Sequence, residues 1–279
     1  MKTGGKIYLA LILVFLYLPI GTLVVFSFNS SKSMFVWSGF SLRWYEEMFS
    51  NKQILDAIWN MFSIALFSAL ISTVIGTLAC VGMQAMKKKA YKLIMGLTDI
   101  PLLNADIVIG ISLMMTYLVL GIPLSWWTVL LSHITFNLPY VILSVLPKFR
   151  QLTPNAYEAA LDLGASPRQA FFKVVLPDLM PGISSGFLLA FTMSVDDFVI
   201  THFTRGAGIN TISTLIYSQV KVGIRPTLFA LSTVIFAVVL IVLVIGNEVS
   251  SRRERKNRAG GDAATGVRVR GLKKTKEFA

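Results

Sequence analysis

The sequence predicts an all-α polytopic membrane protein with six transmembrane helices, and three observations carry that prediction. Hydrophobic residues make up 54% of the 279 positions and charged residues only 14%, a balance foreign to a water-soluble domain of this length. The mean hydropathy of +0.68 points the same way. Apolar runs recur that are long enough to cross a hydrocarbon core of ~30 Å, which takes about 20 residues at helical rise. Lysine and arginine then alternate between sparse and dense segments, as they do on the two sides of a membrane.

The predicted spans are 7–28, 58–82, 100–120, 126–146, 183–203 and 228–249. The first resembles a signal peptide in position, but its apolar core is too long. Ser27-Phe28-Asn29 also lacks a small-residue cleavage pattern, so it reads as a retained helix. The third span has a blurred start at Pro101, Asn104 and Asp106. The two polar residues there read as caps on a helix entering the membrane, with a gate role for Asp106 as the other reading. In the fourth span, Pro139 and Pro147 are expected to bend or end the helix. Ser132, His133 and Asn137 in the same span read as hydrogen-bonding between helices, with contact to solute as the alternative.

With the N-terminus inside, twenty of the 26 basic residues fall on the inner side. The outer segments hold Lys32, Arg43, Lys52, Arg205, Lys221 and Arg225, so both ends are expected in the cytosol. Residues 1–249 are expected to form the six-span membrane domain. Residues 250–279 form a basic tail with ten basic and three acidic residues, predicted to be disordered and drawn to anionic lipid headgroups. That tail lacks aromatic residues for base stacking beyond Phe278, which argues against nucleic acid as a partner. The single cysteine, Cys80, excludes an intramolecular disulfide, and with only His133 and His202 the usual nitrogen-and-sulfur metal sites are excluded as well.

The most informative stretch is the polar loop 150–182 between the fourth and fifth spans. Thr153-Pro154 opens a first short helix, and Gly164 closes it, because glycine tolerates the left-handed conformation of a helix end. Ser166 and Gln169 form a capping box on a second helix, which Leu176-Pro177 is expected to stop. The first helix has a small-residue face of Ala156, Ala159, Ala160 and Leu163, suited to close approach by a partner surface. An interfacial hairpin lying on the headgroups is the plainer alternative.

Glu158-Ala159-Ala160, three residues, Gly164, nine residues, Val174, one residue, and Leu176-Pro177 resemble the coupling motif of bacterial ABC importer permeases. Val174 stands where that family has isoleucine. The resemblance implies the fold of such permeases, with a cytosolic two-helix coupling loop that sits in a groove of a separate ATPase. Glu158, Ala159, Ala160, Gly164, Leu176 and Pro177 would carry the coupling.

Asp196-Asp197 is the second feature. An aspartate at the centre of a membrane helix costs about 2.5–3.5 kcal/mol on insertion scales, so such acids face a cavity or a partner. Adjacent helical residues point about 100° apart, so one carboxylate is expected in a solute path and the other against a neighbouring helix. The alternative is that the fifth helix ends early and both acids are solvated near the outer surface. Paired acids favour a cationic solute. Trp37, Trp44, Tyr45, Trp126 and Trp127 lie at expected outer boundaries and read chiefly as interfacial belt residues.

Several segments are similar to the spermidine/putrescine permeases of C-type within that family, notably 191–197 and 216–223, the latter containing Tyr217. This resemblance implies uptake of polyamines by alternating access at the bacterial inner membrane. The implied partners are a second, B-type permease, two copies of an ABC ATPase and an extracytoplasmic polyamine-binding protein. Asp106, His133, Asn137 and Tyr217 are the weaker candidates for the path beside Asp196 and Asp197. The chain has no glycine-rich phosphate loop, so ATP and Mg belong to the partner ATPase, and no cofactor or enzyme activity is expected of this chain. A ferric-ion permease is the main alternative. An intramembrane protease is remote, because the two aspartates are neighbours on one helix and point apart.

Overall fold

A computed structural model describes residues 3–32, 36–151, 154–223, 225–241, 244, 245 and 248. The basic tail, the Thr153 cap and part of the expected sixth span lie outside these residues. The described residues are almost wholly helical, in the order α1 (Thr3–Ser27), α2 (Arg43–Ser50), α3 (Lys52–Gln84), α4 (Lys88–Leu103), α5 (Asp106–Val119), α6 (Trp126–Gln151), α7 (Pro154–Asp162), α8 (Pro167–Ala170), α9 (Leu176–Asp196), α10 (Val199–Thr204) and α11 (Ile212–Val222). A final apolar helix, α12, covers Thr227–Ile241.

Three helices make the core: α3, α6 and α9 pack against one another along most of their length. Their shared faces are small or β-branched, with Ala65, Ala69 and Cys80 on α3, Val141 and Val145 on α6, and Ala190 on α9 all fully buried. Helices in lipid gain little from burying apolar surface, so close backbone approach must supply the packing. Gly76 shows how close: a Cβ there would stand 2.7 Å from a Val141 methyl. Gly186 approaches Val141 and Ser144 from the other side, where a Cβ would stand 3.3 Å from the Ser144 Cβ. By contrast α1 leaves most of its apolar span uncovered by the described residues. Only its C-terminal end is tied in, where Ser27 Oγ and Tyr45 Oη are 2.7 Å apart and the Trp44 indole donates to the Asn29 carbonyl at 2.5 Å. Trp44 is therefore buried and structural rather than a belt residue at the headgroups.

The six expected spans do not all take the form of single long helices among the described residues. Among the described residues, four helices are long and apolar enough to cross a membrane: Ile7–Ser27, Lys52–Gln84, Trp126–Gln151 and Pro167–Asp196. The predicted third span, 100–120, is instead two helices, α4 and α5, bent by 108°. Pro101 removes a ladder donor near the end of α4, and Asn104 turns its side-chain amide back to the Ile100 carbonyl at 2.8 Å while its backbone goes extended. The 14 residues of α5 reach only about 21 Å. Asp106 is the first residue of α5 rather than its cap and is exposed.

The prolines of α6 and α9 do not end the helices in which they stand. Pro139 and Pro147 lie inside α6 and end nothing. The helix is held on both sides by α3 and α9, and that packing outweighs two lost backbone bonds. Pro177 likewise does not stop a helix. α8 runs through a π turn at Phe171–Val175 into α9, giving one rod over Pro167–Asp196. In that turn the Leu176 N–H reaches back to the Phe171 carbonyl, and the wider ring spacing accommodates the proline that follows.

Candidate functional site

Two regions matter, and the rod Pro167–Asp196 joins them. At its first end is the elbow between α6 and α9. α7 closes through Gly164, whose φ is +86°. The Gly164 N–H donates to the Leu161 carbonyl and the Ala165 N–H to the Ala160 carbonyl, the paired bonds of a left-handed helix end. Ser166 and Gln169 then form the reciprocal cap: the Gln169 N–H donates to Ser166 Oγ at 3.3 Å, and the Ser166 N–H to Gln169 Oε1 at 3.1 Å. These two devices, one a backbone helix end and one a side-chain cap, set the angle between α7 and α8 by local geometry.

The elbow's outward surface is unusual for a polar loop. Leu163 is 88% exposed and Phe172 62% exposed, beside an exposed Glu158, Ala159 and Gly164. Ala160 and Leu176 are half-buried, and Pro177 is exposed at the base of α9. Glu158 makes no ion pair among the described residues. A free carboxylate, small side chains and two bare apolar groups on a rigid turn suit a fitted protein surface.

At the far end of the rod the two acids part company. α9 ends at Asp196, and Asp197 has left helical geometry, with φ −65° and ψ 128°. Its carboxylate caps α10, accepting from the Ile200 N–H at 3.2 Å, the Thr201 N–H at 2.8 Å and the Thr201 hydroxyl at 2.8 Å. His133 Nε2 stands 3.3 Å away, and the Asp197 side chain is only 6% exposed. The early helix end expected as one alternative is therefore real, but solvation of both acids is not.

His133 gathers this junction. Its Nδ1 is 2.5 Å from Ser194 Oγ and its Nε2 2.9 Å from Thr201 Oγ1, so one imidazole spans both sides of the break between α9 and α10. Ser194 accepts in turn from Ser68 on α3 at 3.2 Å, and Asn137 donates to Ser68 at 3.3 Å. Asn137 and His133 are fully buried. They lie within the helix packing and bond across it, as the interhelical reading of the sequence expects. Ser68, Ser194 and Thr201 were not singled out in the sequence. Thr201, four residues after an acid at a helix end, was the one legible signal.

Asp196 faces the other way. It is exposed and lines a cleft of about 400 Å³ between α3, α9, α11 and α12. Its neighbours there include Met61, Thr192, Ser213, Ser232 and Phe236. The cleft is one carboxylate and three hydroxyls set in apolar wall, the lining that suits an alkyl chain carrying a positive charge. Tyr217 lies outside it, its ring tilted against Phe198 with centroids 4.7 Å apart and the Lys221 ammonium over its face at 4.5 Å. Asp106, on α5, is not among the lining residues.

Comparison with known proteins follows this geometry. Residues 72–256 match the family model described as the inner membrane component of binding-protein-dependent transport systems. The chain is 37% identical over 257 residues to the spermidine/putrescine transport system permease protein PotC of Escherichia coli (strain K12), covering 92% of this chain and 96% of that one. It is 36% identical to the putrescine transport system permease protein PotI of the same strain, over 87% of this chain and 89% of that one. Its fold is similar to a chain of a bacterial ABC transporter involved in the import of the acidic polysaccharide alginate. There the TM-score is 0.70 at 18% identity, over 88% and 92% of the two chains.

Proposed function

The chain belongs to the family of inner membrane components of binding-protein-dependent transport systems, and from that premise we propose that it is a permease subunit importing polyamines under the drive of a separate ATPase. Its relatives named for spermidine and putrescine support the solute class. The observation that carries the mechanism is the exposed Asp196 carboxylate at one end of a continuous helical rod whose other end is the elbow.

The elbow, with Glu158, Ala159, Ala160 and Gly164 on its surface and Leu176 and Pro177 at its base, seats against the ATPase on the cytosolic side. The rod of 30 residues spans about 45 Å, so displacement of the elbow is carried to Asp196 along one helix. Asp196 meets an ammonium of the solute, and the apolar wall covers its methylenes. Asp197, with His133, holds the break at the end of the rod and keeps α10 in place. Alternating access then follows from tilting α9 against α3 and α6.

Both termini lie in the cytosol, and the complete importer adds a B-type permease, two ATPase copies and an extracytoplasmic binding protein. A ferric ion suits the site less well. A hard trivalent cation takes several charged oxygen ligands, whereas the cleft has one carboxylate among its lining residues. The test is uptake of labelled spermidine by the reconstituted complex. Asp196→Asn is expected to raise the KM for transport with normal membrane insertion. Uptake with an unaltered KM would remove Asp196 from the path.

A further inference from the structure

Three aromatic rings outside the cleft have no part in the transport path described above. Phe198, His202 and Tyr217 are in mutual contact, with centroids 4.7 Å apart for Phe198 and Tyr217, 5.2 Å for Phe198 and His202, and 5.8 Å for His202 and Tyr217. The Lys221 ammonium lies over the Tyr217 ring, 4.5 Å from its centroid. Lys221 is exposed and makes no ion pair among the described residues, so its charge rests on a ring and not on a carboxylate. His202 Nδ1 is shielded and has no hydrogen-bond partner among the described residues, which leaves a polar atom of the group open to a guest.

The segments that carry these rings also wall the cleft. Ser213 lines the cleft, and Tyr217 follows it by four residues on α11, on the same side of the helix and about 6 Å along its axis. Phe198 follows Asp196 by two residues, which bounds their Cα separation at about 7 Å. The rings are therefore within reach of an alkyl chain of a few carbons held at Asp196. A lysine side chain is itself a four-carbon chain ending in a primary ammonium. What Tyr217 holds in this structure is chemically one end of a linear diamine.

We propose that Phe198, His202 and Tyr217 form a second ammonium site, for the far end of a di- or polyamine whose first ammonium meets Asp196, and that Lys221 fills it as a tethered placeholder until solute displaces it. The inference rests on the importer reading above and deepens it, since it assigns the recognition of a second charge. A cation over an exposed ring face is held weakly, by about two- to fivefold in an equilibrium. Lys221 therefore gives way to an ammonium that Asp196 already holds close by. A monoamine has no second charge and gains nothing from the rings. The two sites together select for chain length and charge number, which one carboxylate does not.

The test is equilibrium binding of labelled spermidine to the complete importer in nanodiscs, with butylamine as the single-charge control. Tyr217→Leu is expected to weaken spermidine binding about threefold while competition by butylamine keeps its strength. Lys221→Gln is expected to tighten spermidine binding about threefold, a gain that no folding defect produces. In the Tyr217→Leu background the same Lys221→Gln change should bring no gain. Unaltered spermidine affinity in both single variants overturns the proposal. So does an equal gain from Lys221→Gln with and without the Tyr217 ring, which would leave the lysine only a long-range repulsion. Uptake of labelled spermidine by the wild type, measured separately in vesicles, tests the importer reading. Absent uptake with the expected binding pattern overturns transport and supports the site, whereas normal uptake with flat binding curves overturns the site alone.

Discussion

Replacing Asp196 and Asp197 by alanine, one at a time, separates two roles that adjacent identical residues would otherwise blur. Asp197→Ala removes the acceptor for two backbone N–H groups of α10 and for the Thr201 hydroxyl, and leaves His133 facing an empty position 3.3 Å away. Loss of a helix cap costs about 1 kcal/mol. A buried donor left without its partner adds about 1–3 kcal/mol, and Thr201 and His133 are both fully buried. The expected destabilisation is about 2–4 kcal/mol, visible as a lower melting temperature of detergent-solubilised protein by fluorescence-detected size exclusion. Asp196→Ala touches no such network. Its expected stability change is within about 0.5 kcal/mol, while transport loses a charge-assisted contact of about 1.5 kcal/mol or more, roughly a tenfold rise in KM. The reasoning is refuted if the two variants exchange phenotypes, or if Asp197→Ala melts with the wild type.

Three further outcomes are expected. Gly164→Val places a β-branched residue at φ +86° in open space, so it strains the backbone by about 1–2 kcal/mol without a clash. The complex should still insert but lose the coupling of ATP hydrolysis to uptake, and tight coupling in this variant would count against the elbow as the contact. Glu158→Lys changes an exposed carboxylate with no ion pair among the described residues, so insertion and melting should stay normal while spermidine-dependent ATPase activity falls; retained stimulation would refute it. Gly76→Ala drives a Cβ to 2.7 Å from Val141 and should cost about 1–3 kcal/mol by overpacking. Val141→Ala in the same chain should recover part of that loss, and a double mutant no more stable than Gly76→Ala would show the approach of α3 and α6 to be looser than described.

Much of the elbow was readable because its devices are local. A capping box needs only Ser166 and Gln169 three residues apart, and the helix end at Gly164 needs only a residue tolerant of positive φ. The same holds for the long apolar runs behind α1, α3 and α6, whose composition leaves few alternatives to a membrane helix. Proline was misread for the complementary reason. Its local cost is real, but at Pro139 and Pro147 that cost is set against two packed faces of α6, and at Pro177 against a π turn that no short-range pattern announces.

The pair Asp196-Asp197 marks the boundary between the two kinds of information. Residue chemistry was enough to say that two carboxylates in an apolar run need partners or a cavity, because ionised groups are costly in hydrocarbon. It could not say which acid takes which fate. That choice depends on where α9 stops and on His133, which comes from a helix more than sixty positions away and meets Asp197 only after α6 and α9 have packed. Solvation cost is a property of a side chain, whereas the relief of that cost is a property of the neighbours folding brings to it.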